Sequence, residues 1–447
     1  MNDNKQARTP AVPGRRCLSE IHLKQLRSIA REIFDAALLA VDAREVTLRA
    51  ITSEDNRIRI GEISVDPEKR IYVVGIGKAA SAMAEALNET LSDRIAKGLI
   101  TSQLPSILPA HWQIFSSGHP LPNAESLNAA HATFQLLDKA NSEGALVIFA
   151  VSGGGSAMIE WPANDAISLE DLQQANRILV TCGATIAEIN VVRRAFSAVK
   201  GGKLAQRAME ADIVTLLISD TNHGDEASVA SGPTLAPPSS VQTAEEIVAK
   251  YQLDGKLPTT ILQALHESRR ASKTQFSRAP YYVLAESQTA IDAAVSRAQS
   301  HRFRVISAKE ISEQPIAEGC ERLIQRLTQE SGPVCLISGG EFSCPVRGDG
   351  RGGRNLETVL RCAMGIADNA EHTVVLSAGT DGIDGNSRAA GAIADETTLR
   401  RARGFGLDAS EFLARSDSFG FFEKLDDAII TGPTGTNVRD LRVILKA

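Results

Sequence analysis

Residues 145–156 read ALVIFAVSGGGS, an unbroken apolar run from Ala145 to Val151 followed at once by Ser152, Gly153, Gly154, Gly155 and Ser156. An apolar run without polar alternation is a strand buried on both faces, and the glycines after it mark a tight turn. The same pattern recurs along the chain. Ile71 to Val74 feeds Gly75-Ile76-Gly77-Lys78 and an alanine-rich helix, and Ile213 to Ile218 feeds Ser219-Asp220. Val334 to Ile337 feeds Ser338-Gly339-Gly340-Glu341, and Thr373 to Leu376 feeds a loop holding Asp381 and Asp384. Strands alternating with helices imply right-handed crossovers and parallel sheets, whose ligands bind beyond the C-terminal strand ends. The chemistry is therefore expected in these loops.

The chain has 447 residues, enough for two domains, and its 43% apolar and 23% charged residues exclude fibrous and wholly disordered classes. Lys and Arg number 48 against 54 Asp and Glu, a formal charge of −6, which argues against nucleic acid or an anionic membrane as partner. Cys17, Cys182, Cys320, Cys335, Cys344 and Cys362 show no CxxC spacing, so reduced thiols fit better than a zinc site or a disulfide framework. The apolar runs are too short to span a membrane and the first residues carry no apolar leader, which gives a cytoplasmic expectation.

Residues 1–18 are polar and read as a disordered lead-in. Leu23, Leu26, Ile29, Ile33, Ala36, Ala37 and Ala40 then recur at helical spacing. The turn-rich stretch around Ala236-Pro237-Pro238, Leu257-Pro258 and Ser268 to Pro280 reads as a linker region, with a second domain from Tyr281.

Glycines crowd the loops at Gly153 to Gly155, Gly201-Gly202, Gly339-Gly340 and Gly348 to Gly353. Backbone N–H groups without side chains approach phosphate or carboxylate oxygens closely. No Walker A pattern is present, and GIGKAASAMAEAL is an incomplete dinucleotide fingerprint, because no acid closes the next apolar run at Gly98 to Thr101. Lys78 reads either as a point charge for a phosphoryl or carboxylate group or as a solvated lysine. Arg354, between Gly353 and Asn355, suits a two-point clamp on an anion, with Arg351 as its solvated neighbour. Asp220, Asp225, Asp381 and Asp384 offer oxygen ligands for magnesium, or caps for turns. His119 is a loop histidine that reads as a base or as packing. Ser156 lacks a GxSxG elbow, which disfavours hydrolase chemistry.

Together, GIGKAASAMA, SSGHPLPNAES, VSGGGSAM, GATIAEINVVRR, VKGGKLA, VASGPT, SGGE, GRGGRN, GTDGIDG and TGPTGTNVRDLRVIL closely resemble the class II glycerate 2-kinases, from about residue 25 onward. The resemblance implies an α/β protein with a Rossmann-like αβα N-terminal domain over 19–275, a smaller MOFRL-type α/β C-terminal domain over 281–447, and an active-site cleft between them. It implies ATP- and magnesium-dependent phosphorylation of the 2-hydroxyl of D-glycerate to 2-phosphoglycerate, with a small hydroxy acid and a nucleotide as partners. The family's important lysine and arginine fall on Lys78 and Arg354. Gly75, Gly77, Ser152 to Ser156, Lys200, Gly201, Gly202, Gly339, Gly340, Glu341 and Gly353 would cradle nucleotide or substrate, and Asn355, Glu357 and Asp381 would line the cleft. Metal binding falls on Asp220 and Asp225.

The chain departs from the family at His223 and Gly224, where an acid is missing, and at Ala195, Phe342, Leu356 and Arg388, where polar or differently charged groups are common. Those departures allow a kinase for another hydroxy acid, or a member that binds without turnover. A hydroxypyruvate reductase is the oxidoreductase alternative. The oligomeric state, a homo-oligomer included, is left open.

Overall fold

The computed structural model describes residues 13–54, 57–237, 242–270, 279–367 and 372–447. They divide into two compact units, one comprising Leu38–Ala290 and Pro433–Arg439, the other the described residues up to Ala37 with Ile291–Gly432 and Asp440–Ala447.

The unit built on Leu38–Ala290 contains a six-stranded sheet of β1 (Ile71–Ile76), β2 (Ile95–Ser102), β3 (Trp112–Ser116), β4 (Leu146–Ser152), β5 (Asp212–Ile218) and β6 (Tyr281–Ala285). The order is β3-β2-β1-β4-β5-β6, and every pair is parallel. The winding therefore reverses between β1 and β4, and a doubly wound sheet offers its ligand crevice outside the C-terminal ends of those two strands. Both are buried along their whole length, as the unbroken apolar runs require. Val74, Ile76, Val147, Phe149 and Val151 pack with Ala130, Leu136 and Leu137 of helix Ala124–Ser142. Each such side chain contributes on the order of 2 kcal/mol relative to exposure. A small antiparallel sheet, Ile51–Glu54, Arg57–Ile60 and Ile63–Val65, precedes β1.

Among its described residues the expected linker carries two helices. Helices Ala244–Lys250 and Thr259–Arg270 pack with Leu169–Thr181 and Ile186–Phe196 around Leu172, Val192, Phe196, Ile247, Ile261 and Leu265. Pro258 stands at a helix start, its carbonyl accepting the Leu262 N–H at 3.1 Å, and Thr243 opens the other helix in a capping box with Glu246. Residues 238–241 and 271–278 lie outside the described residues. Tyr281, expected to open the second domain, instead opens the edge strand of this first sheet.

In the other unit, β7 (Arg304–Ser307), β8 (Val334–Gly339), β9 (Thr373–Gly379), β10 (Gly391–Asp395), β11 (Ala428–Ile429) and β12 (Asp440–Lys446) are ordered β7-β8-β12-β9-β10-β11. Only β7 and β8 are parallel, which corrects the expectation of a second parallel sheet: β12 enters antiparallel between β8 and β9. The lead-in expected over 1–18 is described from Pro13, where helix Pro13–Ala40 already begins. Arg27 on that helix pairs with Asp395 at 2.7 Å and with Asp427.

Cys182, Cys320, Cys335, Cys344 and Cys362 are free thiols. Among the described residues no helix is long and apolar enough to cross a membrane.

Candidate functional site

At the reversal point the β1 and β4 loops lie against each other with no room for side chains. Gly77 sits at φ +115°, where a Cβ would stand 2.4 Å from the Ser152 carbonyl oxygen. The Lys78 N–H donates to the Gly153 carbonyl at 3.0 Å, and the Ala79 N–H donates to Ser152 Oγ at 2.9 Å. Lys78 is thus fixed by backbone bonds immediately before helix Ala80–Leu91. A Cβ on Gly154 would lie 3.1 Å from Lys78 Cγ and 3.4 Å from His119 Cδ2, while one on Gly153 would strike Asp220 Oδ2 at 1.9 Å. The lysine stem, the imidazole and the Asp220 carboxylate therefore gather over this glycine turn. Gly75 lies within β1 against Ile100 and is a packing residue.

Ser156 Oγ shares a hydrogen bond of 2.7 Å with Ser231 Oγ, which donates to Asn190 Oδ1 at 2.9 Å, so Ser156 is tied to a loop rather than to a base. The Gly201 and Gly202 N–H groups donate to the carbonyls of Ser231 at 3.1 Å and Gly232 at 2.6 Å. Lys200, expected to touch ligand, is instead buried and paired with Glu160. Glu160 Oε1 also accepts from Ser197 Oγ at 2.5 Å and from the Trp161 N–H at 3.0 Å. Burial pushes the Lys200 ammonium below its ordinary range, against the pull of Glu160. Sequence reasoning missed Glu160, whose only signal is an acid closing the apolar run from Ala157 to Ile159. Asp225 Oδ1 accepts from Ser228 Oγ at 2.7 Å, and His223 Nδ1 stands 3.3 Å from Glu286.

In the other unit, helix Arg354–Ile366 begins after Gly353 without a cap of its own. Asp384 supplies it, accepting from the Asn355 N–H at 3.1 Å and the Leu356 N–H at 2.8 Å. Burial, reinforced by Asp440 nearby, pushes the Asp384 carboxyl up to about 7. Arg354 is already engaged: Nε and Nη2 donate to Asp440 at 2.5 and 3.1 Å, and Nη2 reaches Glu341 at 2.8 Å. Burial opposes the charge on Arg354, but Asp440 and Glu341 outweigh it and keep the guanidinium charged. Asp381 Oδ1 would lie 3.2 Å from a Cβ on Gly379, with Asp440 and Asn355 beside it. The Asn355 amide accepts from Ser377 Oγ at 2.6 Å and donates to Asp384 at 3.3 Å, so it is committed internally. Glu357 holds Arg361 at 2.7 Å and borders a cavity of about 320 Å³ with Phe342, Gly353, Arg354, Asp384 and Ser418. A cavity of about 590 Å³ bordered by Leu146, Asp212 and Pro280 lies at the opposite, N-terminal end of β4 and β5, away from these loops.

Beneath the Gly339-Gly340 turn, the buried Arg442 donates to the carbonyls of Gly339 at 2.8 Å and Gly340 at 2.7 Å, with its guanidinium 3.8 Å from the centre of the Phe342 ring. Sequence reasoning did not single it out. Two departures expected to retune a pocket lie elsewhere. Leu356 belongs to the hydrophobic core, and Ala195 packs against the helical cluster around Phe196. Arg388 is exposed and shares Glu423, at 3.2 Å, with Arg351, at 2.9 Å.

Residues 29–266 match the family described as Domain of unknown function (DUF4147), and residues 334–440 match the MOFRL family. An Agrobacterium vitis protein named "Putative hydroxypyruvate reductase" is 37% identical over 387 residues, spanning 84% of this chain and 99% of its own. The D-glycerate 2-kinase of Thermotoga maritima is 34% identical over 385 residues, spanning 83% of this chain and 89% of its own. The crystal structure of a glycerate kinase from Thermotoga maritima matches with a TM-score of 0.81 and 29% identity over 95% of this chain and 100% of that one. A DUF4147 domain followed by a MOFRL domain, with relatives alike along nearly their whole length, places the chain in the glycerate 2-kinase family.

Proposed function

We propose that the protein transfers a phosphoryl group from ATP to the 2-hydroxyl of D-glycerate, giving 2-phosphoglycerate. The observation that carries this reading is Lys78, held by backbone bonds at the reversal point of the sheet and gathered with Asp220 over a glycine turn. Phosphoryl transfer asks a protein mainly for positioning and charge stabilisation, and a lysine whose backbone is fixed over a glycine turn beside a carboxylate is suited to both.

Asp220 fits a magnesium ion, since its hard carboxylate oxygens lie over Gly153 and one or two carboxylates suffice for a largely hydrated ion. Magnesium, when bound, neutralises charge on the phosphates. Asp225 fits less well because Ser228 and the nearby charge of Arg194 engage it. Arg354 is oriented by the buried Asp440. Its contact with Glu341, both side chains being 36% exposed, is the one that a ligand anion replaces.

Coupled ADP release by the purified protein tests the reading, with glycerate, tartronate and erythronate, with and without magnesium. Magnesium-dependent release with glycerate supports it, and no release with any acid overturns it. Reduction of hydroxypyruvate is the second reading, favoured by the name of the Agrobacterium relative. NADH oxidation with hydroxypyruvate and no ATP would support that one instead.

A further inference from the structure

Four cations lie close together in sequence, and three have a hydrogen-bond acceptor. Lys200 pairs with Glu160, Arg193 Nε donates to Asn176 at 2.8 Å, and Lys203 Nζ donates to the Arg194 carbonyl at 2.9 Å and to that of Ser197. Arg194 differs. Among the described residues no acceptor stands within hydrogen-bonding distance of its guanidinium, and Asp225 acts on it only through space. A half-buried cation without an acceptor is costly, and a bound anion removes that cost. Burial accordingly pulls its pKa below the ordinary range, with Asp225 opposing.

The surroundings hold this side chain in place. A Cβ on Gly201, at φ +68°, would stand 2.7 Å from Arg194 Cδ and 3.2 Å from Cγ, so the stem crosses the turn where only glycine fits. That turn is bonded to Ser231 and Gly232, and Ser231 is bonded to Ser156 in the loop after β4. Arg194 is thereby connected to the rim of the crevice that also holds Lys78.

We infer that Arg194 anchors the carboxylate of the substrate, its guanidinium fork gripping the two oxygens while the hydroxyl is presented for phosphorylation. The identity of the acid rests on the kinase reading above; the anchoring of a carboxylate does not. A carboxylate is favoured over a phosphate because Asp225 repels a dianion more strongly than a monoanion. The planar fork also matches two carboxylate oxygens, which a point-charge ammonium could not grip in the same way.

The test compares the wild-type chain with Arg194→Met and Arg194→Lys, using calorimetric binding of glycerate, tartronate and hydroxypyruvate and steady-state kinetics. Arg194→Met should weaken glycerate about 30-fold or more in KM and Kd, a loss in keeping with a charge-assisted bidentate contact, while the KM for ATP stays within about threefold. Arg194→Lys should fall between. Glyceramide, which lacks the charge, should be handled alike by wild type and Arg194→Met. Gly201→Ala displaces the stem without altering the charge and should give the same acid-specific defect if Arg194→Met folds poorly. A loss of ATP affinity instead, an equal loss with glyceramide, or unchanged acid binding in Arg194→Met overturns the inference, as does failure of the wild type to bind all three acids. If the wild type binds an acid but releases no ADP, the kinase reading falls while the binding comparison still decides the role of Arg194.

Discussion

Arg354 grips Asp440 through two parallel hydrogen bonds, Nε to Oδ2 at 2.5 Å and Nη2 to Oδ1 at 3.1 Å, so the helix after the glycine-rich loop is fastened to the first residue of β12. Asp440→Asn removes one side of the fork and leaves the guanidinium short of charge. Because Arg354 keeps 36% of its side-chain exposure, water offsets part of the loss, and about 2 kcal/mol of stability should disappear. Urea denaturation measures it, and an unchanged midpoint would show the fork to be dispensable.

Lys78 is expected to act on charge that develops during transfer. Lys78→Met should lower kcat at least 100-fold, about 3 kcal/mol, with little change in the KM for either substrate. Turnover equal to wild type would make Lys78 an ordinary surface residue.

Glu160→Gln isolates the buried Lys200. At pH 7 the variant should lose about 3–5 kcal/mol, the usual consequence of stripping one partner from a buried pair. The Lys200 pKa already lies below 10.5, chiefly through burial, and removal of Glu160 lowers it further. Between the folded and unfolded pKa values the unfolded chain binds more protons, so stability rises with pH in that window. The deficit should therefore shrink as denaturation is repeated from pH 7 towards pH 10; a deficit independent of pH would contradict the assignment.

Asp384 has the opposite sign. With its carboxyl raised from 3.8 to about 7, the folded state binds more protons than the unfolded state between those values. Its contribution is present at low pH and is lost as pH rises towards 7. The stability of wild type minus that of Asp384→Asn should fall by on the order of 4 kcal/mol from pH 4 to pH 7 and then level off. A flat difference would mean that the carboxylate is ionised throughout.

Gly319 lies in helix Ile316–Thr328, where alanine is ordinarily the better residue by about 1 kcal/mol. Here a Cβ would stand 2.4 Å from Phe342 Cζ. Gly319→Ala should destabilise by about 1–3 kcal/mol through overpacking. Adding Phe342→Thr should recover part of the loss in thermal melts, whereas additive losses would exclude a steric cause.

Much of this architecture is legible in sequence because a strand buried on both faces leaves an unbroken apolar run, and the runs before Gly75, Ser152, Ser219, Ser338 and Thr380 are all strands. The position of Lys78 follows from the same signal. Partners far apart in the chain leave no such trace. Arg354 finds Asp440 across 86 positions and Lys200 finds Glu160 across 40, so two residues that read as open to ligand are held by acids. The direction of a side chain near a motif is equally hidden. Leu356 adjoins glycine-rich signature residues yet points into the core, and Phe342 follows the Gly339-Gly340 turn yet packs on Arg442. Proline and polar residues between 237 and 280 carry two meanings, linker or helix start, and only the packing of Ile247 and Ile261 decides between them.

The seating of β12 between β8 and β9 bears on how the molecule is made. A ribosome delivers the chain in order, and the sheet completed by Asp440–Lys446 lacks an inner strand until those residues emerge. Leu38–Ala290, by contrast, has its whole parallel sheet in hand once Ala285 is out. Synthesis therefore imposes a schedule in which the Rossmann-like sheet matures while the MOFRL sheet waits with β8 and β9 unbridged. A chain halted before Asp440 would leave those two strands with bare facing edges, open to pairing with another nascent chain.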